Sequence, residues 1–193
     1  LKSVPAGAPD KILGINQAFQ KSDIPDKVNL VVGAYRDANG KPWVLPSVAE
    51  AEARLLQKAV NKEYAGITGL PNFLKRALAF AYGDDSPPML EKRLAGVQTL
   101  SGTGACRLAA DFYAKFLPTG TKVYCSDPTW PNHIPIFGQA GFDVCKYSYL
   151  DRATNRLDLD GMLADLKSAP DGSIIVLHAC AHNPTGVDPT AAD

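Results

Sequence analysis

The chain has 193 residues, of which 46 % are hydrophobic and 21 % charged, enough apolar material for one ordinary domain or a little more. Its 20 basic and 20 acidic side chains cancel, and no basic block stands out. That leaves no electrostatic footprint for nucleic acid or an anionic membrane, and no apolar run approaches the ~20 residues that cross a bilayer. The four cysteines, Cys106, Cys125, Cys145 and Cys180, lack C-x-x-C spacing, which points to a reduced, intracellular protein rather than to disulfides or zinc. No signal-peptide pattern opens the chain at Leu1. Residues 188–193 (DPTAAD) read as a turn running into the start of a helix, so the sequence is expected to be a fragment.

Residues 1–9 carry two prolines and no periodicity, as an extended arm would. From Asp10, a possible cap, Ile12, Ile15 and Phe19 recur at helical spacing. Residues 28–32 form a β-rich run that breaks at Gly33, and the turn 37–40 (DANG) follows. Ser47 with Glu50 three residues on has the spacing of a capping box for a helix over SVAEAEARLLQKAV. Residues 73–82 predict a further helix after Pro71, closed by Gly83.

Beyond residue 96 the pattern alternates strand and helix. Strands are predicted over 97–100, 122–126, 144–149 and 174–177, the last a continuous apolar run of the kind buried on both faces. Helices are predicted over 103–116, 133–140 and 159–168, the first with Ala105, Leu108, Ala109, Phe112 and Phe116 on one face. This alternation argues an α/β fold built on a mainly parallel sheet flanked by helices.

Three loops carry candidate chemistry. Ser101-Gly102-Thr103-Gly104 links a predicted strand to a helix, where backbone N–H groups and the helix dipole suit a phosphate. A glycine turn with a Ser or Thr cap explains the same residues. A dinucleotide site is a further alternative, from the Gly102-x-Gly104 pair and Asp127 after the next strand. Against it, Arg107 stands where close helix–strand packing wants Gly or Ala. The second loop, Asp127-Pro128-Thr129-Trp130-Pro131-Asn132-His133, sets a large ring between two prolines at the edge where α/β sheets bind ligands. In the third, His178 and His182 stand four apart and invite a metal. That spacing needs a helix, whereas an extended chain would hold them about 13 Å apart at ~3.3 Å per residue. Asn183-Pro184-Thr185-Gly186 reads instead as a tight loop presenting the Asn183 amide to a ligand. Both Asp127-Pro128 and Asn183-Pro184 are expected to be cis, since X–Pro bonds tolerate that form in tight loops.

Taken in order, VVGAYRDANGKPWVLPSV, KEYAGITGL, VQTLSGTGACRLAADF, DPTWPNH and LHACAHNPTGVDP resemble the aspartate aminotransferases of fold type I, over nearly the whole chain. Two small departures are Val32 before Gly33 and Ala65-Gly66-Ile67 after Tyr64. The resemblance implies pyridoxal 5'-phosphate as cofactor and amino transfer between L-aspartate and 2-oxoglutarate, giving oxaloacetate and L-glutamate. It implies that Ser101, Gly102 and Thr103 hold the cofactor phosphate, that Trp130 stacks on the pyridine, and that Asn183 bonds the phenolic oxygen. Gly33, Trp130 and Asn183 would also meet substrate. His133 would lie near the carboxylate that pairs with the pyridine nitrogen. Tyr64 would reach the cofactor of the neighbouring subunit, in a homodimer with shared active sites.

The same resemblance implies an arm over 1–9, the first part of a small domain over 10–42, and the first part of a large cofactor domain over 43–193. No lysine in the chain is set among Ser and Gly as the family's catalytic lysine is, so that residue is expected beyond Asp193 and the stretch alone is expected to be inactive. It would then expose faces that the rest of the protein covers. A shortened, non-catalytic paralogue serving as an interaction subunit is the alternative. SGTGACRL resembles mitochondrial members and GDDSP cytosolic ones, which leaves the compartment open between mitochondrial matrix and cytoplasm.

Overall fold

A computed structural model describes Ser3, residues 11–31 and residues 33–193. The expected arm and the possible cap Asp10 lie outside the described residues, apart from Ser3 in a turn. The chain divides between Glu63 and Tyr64 into two compact units.

In the first unit, α1 (Lys11–Lys21) follows the expected helical spacing. Lys27 closes its C-terminal end. The ammonium donates to the Phe19 and Ser22 carbonyls at 2.8 and 2.6 Å, where a cation meets the negative end of the helix dipole. It also lies 4.7 Å from the Phe19 ring centre. The β-rich run that follows is not a strand among its described residues 28–31, and Val28 and Leu30 are exposed. A strand is defined by a partner, and this run finds none among the described residues. The turn at 37–40 forms as expected. Asp37 Oδ1 accepts from the N–H groups of Asn39 and Lys41 at 2.8 and 2.9 Å, and Gly40 takes the positive φ of 72° that the reversal requires. Helix α2 (Pro46–Lys58) starts one residue before the expected cap. Pro46 opens it, with its missing N–H at a position that needs none, and Ser47 makes no cap bond. Glu50 instead pairs with Arg54 one turn on, at 2.7 Å.

In the second unit, α3 (Pro71–Tyr82) again opens on proline and ends at Gly83, φ 85°. A single turn, α4 (Pro87–Leu90), follows. Residues 97–100 are not a strand. Gln98 binds a turn instead: its N–H donates to the Thr68 carbonyl at 2.9 Å, and its side-chain oxygen accepts from Leu70 N–H at 3.0 Å. Helix α5 (Ser101–Phe116) begins two residues before the predicted start. Its expected apolar face is present but turned outward, with Leu108, Phe112 and Phe116 exposed. The buried side is Ala110, with Cys106 half-buried against the core. Small residues there let the helix sit close to the sheet.

The sheet is parallel, in the order β2-β1-β5, where β1 is Lys122–Asp127, β2 is Asp143–Ser148 and β5 is Ile174–Ile175. Val123 sits opposite Val144 on one side and Ile174 on the other. Central β1 supplies Val123 and Cys125, both fully buried, and α6 (His133–Gln139) adds Ile136 and Phe137 to the same core. Burial pushes the Cys125 thiol up to about 11, so it stays a protonated core group. Between β2 and the next helix a short antiparallel pair, β3 (Leu150–Asp151) and β4 (Arg156–Leu157), makes a hairpin. Helix α7 (Leu159–Ser168) is capped by Asp158, which accepts from Gly161 N–H at 3.0 Å. The last strand falls short of expectation: β5 is two residues long and half-buried, because β1 pairs with it on one side only. Residues 188–193 end in a turn, with Thr190 and Asp193 bonded to each other, rather than in a helix start.

Candidate functional site

Parallel strands finish at one edge of a sheet, and here the loops after β1 and β5 both leave from that edge. The loop after β1 carries Trp130. Asp127-Pro128 is cis, as expected from the sequence. Trp130 is half-buried, packed against the core, with its ring edge-on to His133 at 5.1 Å between centroids. His133 is buried, its N–H donating to the Trp130 carbonyl at 3.0 Å and its Nδ1 bonded to Thr129 Oγ1 at 2.9 Å. Ring and loop are therefore held by each other.

The loop after β5 carries Asn183, and Asn183-Pro184 is also cis. This loop overturns the expectation that His178 and His182 stand about 13 Å apart. The chain doubles back, and the two rings stack with centroids 4.1 Å apart. The reason lies in the backbone: Ala181 takes a positive φ of 53°, and Asn183 N–H returns to His178 Nδ1 at 3.0 Å. Three of the four ring nitrogens in the stack are engaged, by the Ser126 and Thr185 hydroxyls and by Asn183 N–H. Among the described residues no three His, Cys, Asp or Glu side chains group as metal ligands.

Both histidines are neutral. Burial lowers His178, against the pull of Asp188, and lowers His182 to about 4, with His178 adding to the effect. His133 is lowered by burial and then by His178. The Asp188 carboxyl is itself held low, because it accepts the N–H groups of His182 and Ala181, at 2.8 and 2.7 Å. Sequence reasoning assigned no role to His178, His182, Thr185 or Asp188, although all four hold the Asn183 turn in shape. Their signal was the density of His, Thr and Asp about one proline. His178 accepts at Nδ1, which puts its proton on Nε2, and that atom is buried without a partner among the described residues.

The expected phosphate turn opens α5. Ser101 has φ 56°, left-handed backbone that a non-glycine residue adopts at a cost, and no side chain caps the helix. Its first N–H groups are thus free to meet an anion. A Cβ added at Gly102 would meet no atom within 4 Å, so the space beside it is open. Residues 117–121 turn the chain back from α5 into β1, and Ala110 packs with Val123 and Cys125. Helix and strand therefore run in opposite senses, with the start of α5 toward the edge where β1 ends. Tyr64 and Asn183 are exposed, and Tyr64 is 101 % accessible, touching nothing that covers it. Gly33, in the other unit, is exposed as well.

The model of the aminotransferase class I and II family matches residues 25–193, and the chain belongs to that family. The dinucleotide alternative is not favoured by this match. Mitochondrial aspartate aminotransferase of Schizosaccharomyces pombe is 56 % identical over 189 residues, which is 98 % of this chain and 43 % of that protein. Among solved structures, cytoplasmic aspartate aminotransferase of Saccharomyces cerevisiae superposes with a TM-score of 0.89 at 46 % identity, over 98 % of this chain and 46 % of that one. An aromatic-amino-acid aminotransferase of Burkholderia pseudomallei, covalently bound to pyridoxal phosphate, gives 0.91 at 42 % identity over 98 % and 47 %. The fold is that of the type I pyridoxal-phosphate-dependent aminotransferases, and the chain spans less than half the length of these relatives. No helix among the described residues is long and apolar enough to cross a membrane.

Proposed function

We propose that the complete protein is a pyridoxal-phosphate-dependent aspartate aminotransferase, exchanging an amino group between L-aspartate and 2-oxoglutarate to give oxaloacetate and L-glutamate. The observation that carries this reading is the 56 % identity to an aspartate aminotransferase over 98 % of the chain. The residues fit the cofactor: an uncapped 16-residue helix beside an open glycine for a phosphate, and a half-buried indole for a flat ring. When bound, pyridoxal phosphate supplies an electron sink that draws charge from the substrate's α-carbon.

In this reading Ser101, Gly102 and Thr103 hold the phosphate through backbone N–H groups and two hydroxyls. Trp130 covers one face of the pyridine ring and fixes its tilt. Asn183 donates its amide to the phenolic oxygen, which stabilises negative charge there. Gly33, Trp130 and Asn183 border the substrate. His133, with the unpartnered Nε2–H of His178 beside it at 5.3 Å between ring centroids, faces a carboxylate supplied by the rest of the protein. Tyr64 crosses to the cofactor of a second subunit in a homodimer, which its full exposure in a single chain supports. The small and large domains take up residues 10–42 and 43–193, after an arm over 1–9, and the catalytic lysine comes from the remainder of the chain. Relatives named for either compartment leave mitochondrial matrix and cytoplasm as the two locations to test.

The test is steady-state kinetics of the full-length, cofactor-loaded protein. We expect kcat/KM with L-aspartate and 2-oxoglutarate to exceed that with phenylalanine or tyrosine as amino donor. The aromatic-amino-acid enzyme among the similar structures makes the comparison necessary. A preference for the aromatic donors would overturn the substrate assignment, and a protein that takes up no pyridoxal phosphate would overturn the cofactor.

A further inference from the structure

Residues 64–69 (YAGITG) hold two glycines and no proline, so their backbone has more freedom to lose than most of the chain. Their large side chains give no anchor, since Tyr64 is 101 % and Ile67 106 % accessible. Hydrogen bonds therefore hold this loop. Gly69 N–H donates to the Gly66 carbonyl at 2.9 Å and closes the turn on itself. Among the described residues, the bonds that tie the turn to a distant part of the chain run to Gln98. Its N–H donates to the Thr68 carbonyl at 2.9 Å, and its Oε1 accepts from Leu70 N–H at 3.0 Å. One residue thus grips the backbone on both sides of Gly69. Leu70 stands at the cap position of α3, so the same side chain also sets where that helix begins.

The approach is close as well as bonded. Gly69 has φ 99°, and a Cβ there would overlap Gln98 Cβ and lie 2.7 Å from its Oε1. Toward the other end, Gln98 stands three residues before Ser101. At no more than ~3.6 Å per residue, Ser101 lies within about 11 Å of it. That short stretch is tied locally: Thr99 Oγ1 donates to the Ser101 carbonyl at 3.2 Å, and Gly104 N–H to the Leu100 carbonyl at 3.1 Å. A displacement of the 66–69 turn is therefore passed to the start of α5, and the reverse.

We propose that Gln98 is a positioning residue serving two cofactors at once, its own through the Ser101 turn and a second subunit's through Tyr64. The proposal rests on the reading above for the two groups at its ends, the phosphate on Ser101-Gly102-Thr103 and Tyr64 on the partner's cofactor. Gln98 itself touches neither. Its side-chain oxygen holds the turn two residues beyond Tyr64, and its backbone leads directly into the phosphate turn.

The test uses hybrid dimers of the full-length, cofactor-loaded protein, one subunit altered and the other wild type, with the two cofactor phosphates read by phosphorus NMR. Gln98→Met keeps the length of the side chain and removes the acceptor. It is expected to move both phosphate resonances from the wild-type position, whereas Tyr64→Phe moves one. Gln98→Glu retains an acceptor oxygen at the same reach and is expected to leave both near the wild-type position. In the Gln98→Met homodimer, amide exchange across residues 66–70 and the pyridoxal phosphate Kd should each rise about three- to tenfold. A residue that only stiffens its own subunit would disturb one site. One moved resonance, or none, in the Gln98→Met hybrid alongside a moved one in the Tyr64→Phe hybrid overturns the proposal, as does unchanged exchange. If Gln98→Met does not dimerise, Gln98→Asn, whose amide stops one carbon short, carries the same comparison. A Tyr64→Phe hybrid with both resonances in place, or a wild-type protein that binds no pyridoxal phosphate, overturns the reading above instead, and exchange across 66–70 still decides whether Gln98 holds the turn.

Discussion

His178 and His182 lie face to face, with ring centroids 4.1 Å apart and planes inclined by 22°, so a proton on one is felt at once by the other. Both, with His133, are held below the ordinary histidine value. A base whose folded value is lowered binds fewer protons folded than unfolded. Its contribution to stability is complete above the unfolded value near 6.5 and is lost as pH falls from there toward about 4, the folded value of His182. Urea unfolding of the full-length protein at pH 7, 6 and 5 is expected to show stability falling, His182 contributing up to about 1.4 kcal/mol per pH unit and His133 and His178 adding in the same direction. Asp188 and Asp165, held low by backbone N–H groups, keep their contribution until pH drops below the ordinary 3.8. A flat profile between pH 6.5 and 5 would contradict this.

Gly102→Ala separates packing from ligand binding. The new methyl meets no protein atom within 4 Å, and alanine suits a helix better than glycine by up to about 1 kcal/mol. The cofactor-free full-length protein is expected to melt at the same temperature or slightly higher. Its affinity for pyridoxal phosphate is expected to fall tenfold or more, because the methyl takes the space assigned to the phosphate. Equal affinity in the variant and wild type would remove Gly102 from the site.

Gly69→Ala is expected to do the opposite, lowering stability first. Gly69 has φ 99°, and a Cβ there would overlap the Gln98 side chain, the group that ties Leu70 to residue 98. Left-handed backbone costs an L-residue about 1–2 kcal/mol before any clash is counted. Thermal unfolding should show a loss of that size or larger, and a variant as stable as wild type would mean that the 66–69 turn rearranges freely.

In the core, Phe137→Ala is expected to cost about 3–5 kcal/mol, because Phe137 is 5 % exposed among Ile136, Val123 and Cys125 and its removal leaves a cavity. Phe137→Leu should recover most of the loss. Denaturant midpoints for both variants check the order, and equal midpoints would show that the α6–sheet contact can collapse around the gap.

Elements whose cause is local were legible before the structure. The Asp37 turn, α3 between Pro71 and Gly83, and β1 and β2 follow from residues within a few positions of each other. Both cis bonds lie where the sequence put tight loops. What failed depended on partners distant in the chain. Residues 28–31 have the composition of a strand but no neighbour to pair with among the described residues, and Gln98 is taken up by the 66–69 turn. Ser47 falls inside the helix because Pro46 opens it, with Leu45 at the cap position, a choice that the hydrophobic pattern does not register. For α5 the spacing found the apolar face, yet the side turned to the sheet is the one bearing Ala110, where small size rather than hydrophobicity decides. The largest error, the separation of His178 and His182, came from reading an apolar strand through a reversal that begins at Ala181. Motif resemblance located the candidate loops, but not the hydroxyls and the carboxylate that brace them.

The strand order β2-β1-β5 has one more consequence. The chain leaves β1 for β2 on one side and later returns to place β5 on the other. The first connection runs from β1 to β2 through α6 and the second from β2 to β5 through α7, so with right-handed crossovers the two fall on opposite faces of the sheet. A reversal of this kind is where ligands enter sheets of parallel strands, at their carboxyl edge. Trp130 and Asn183 stand on the loops that leave β1 and β5 at that edge, and the residues that hold the strands together, Val123, Val144 and Ile174, are not on either loop. Changes of substrate preference can thus accumulate in the loops while the register beneath them stays as it is.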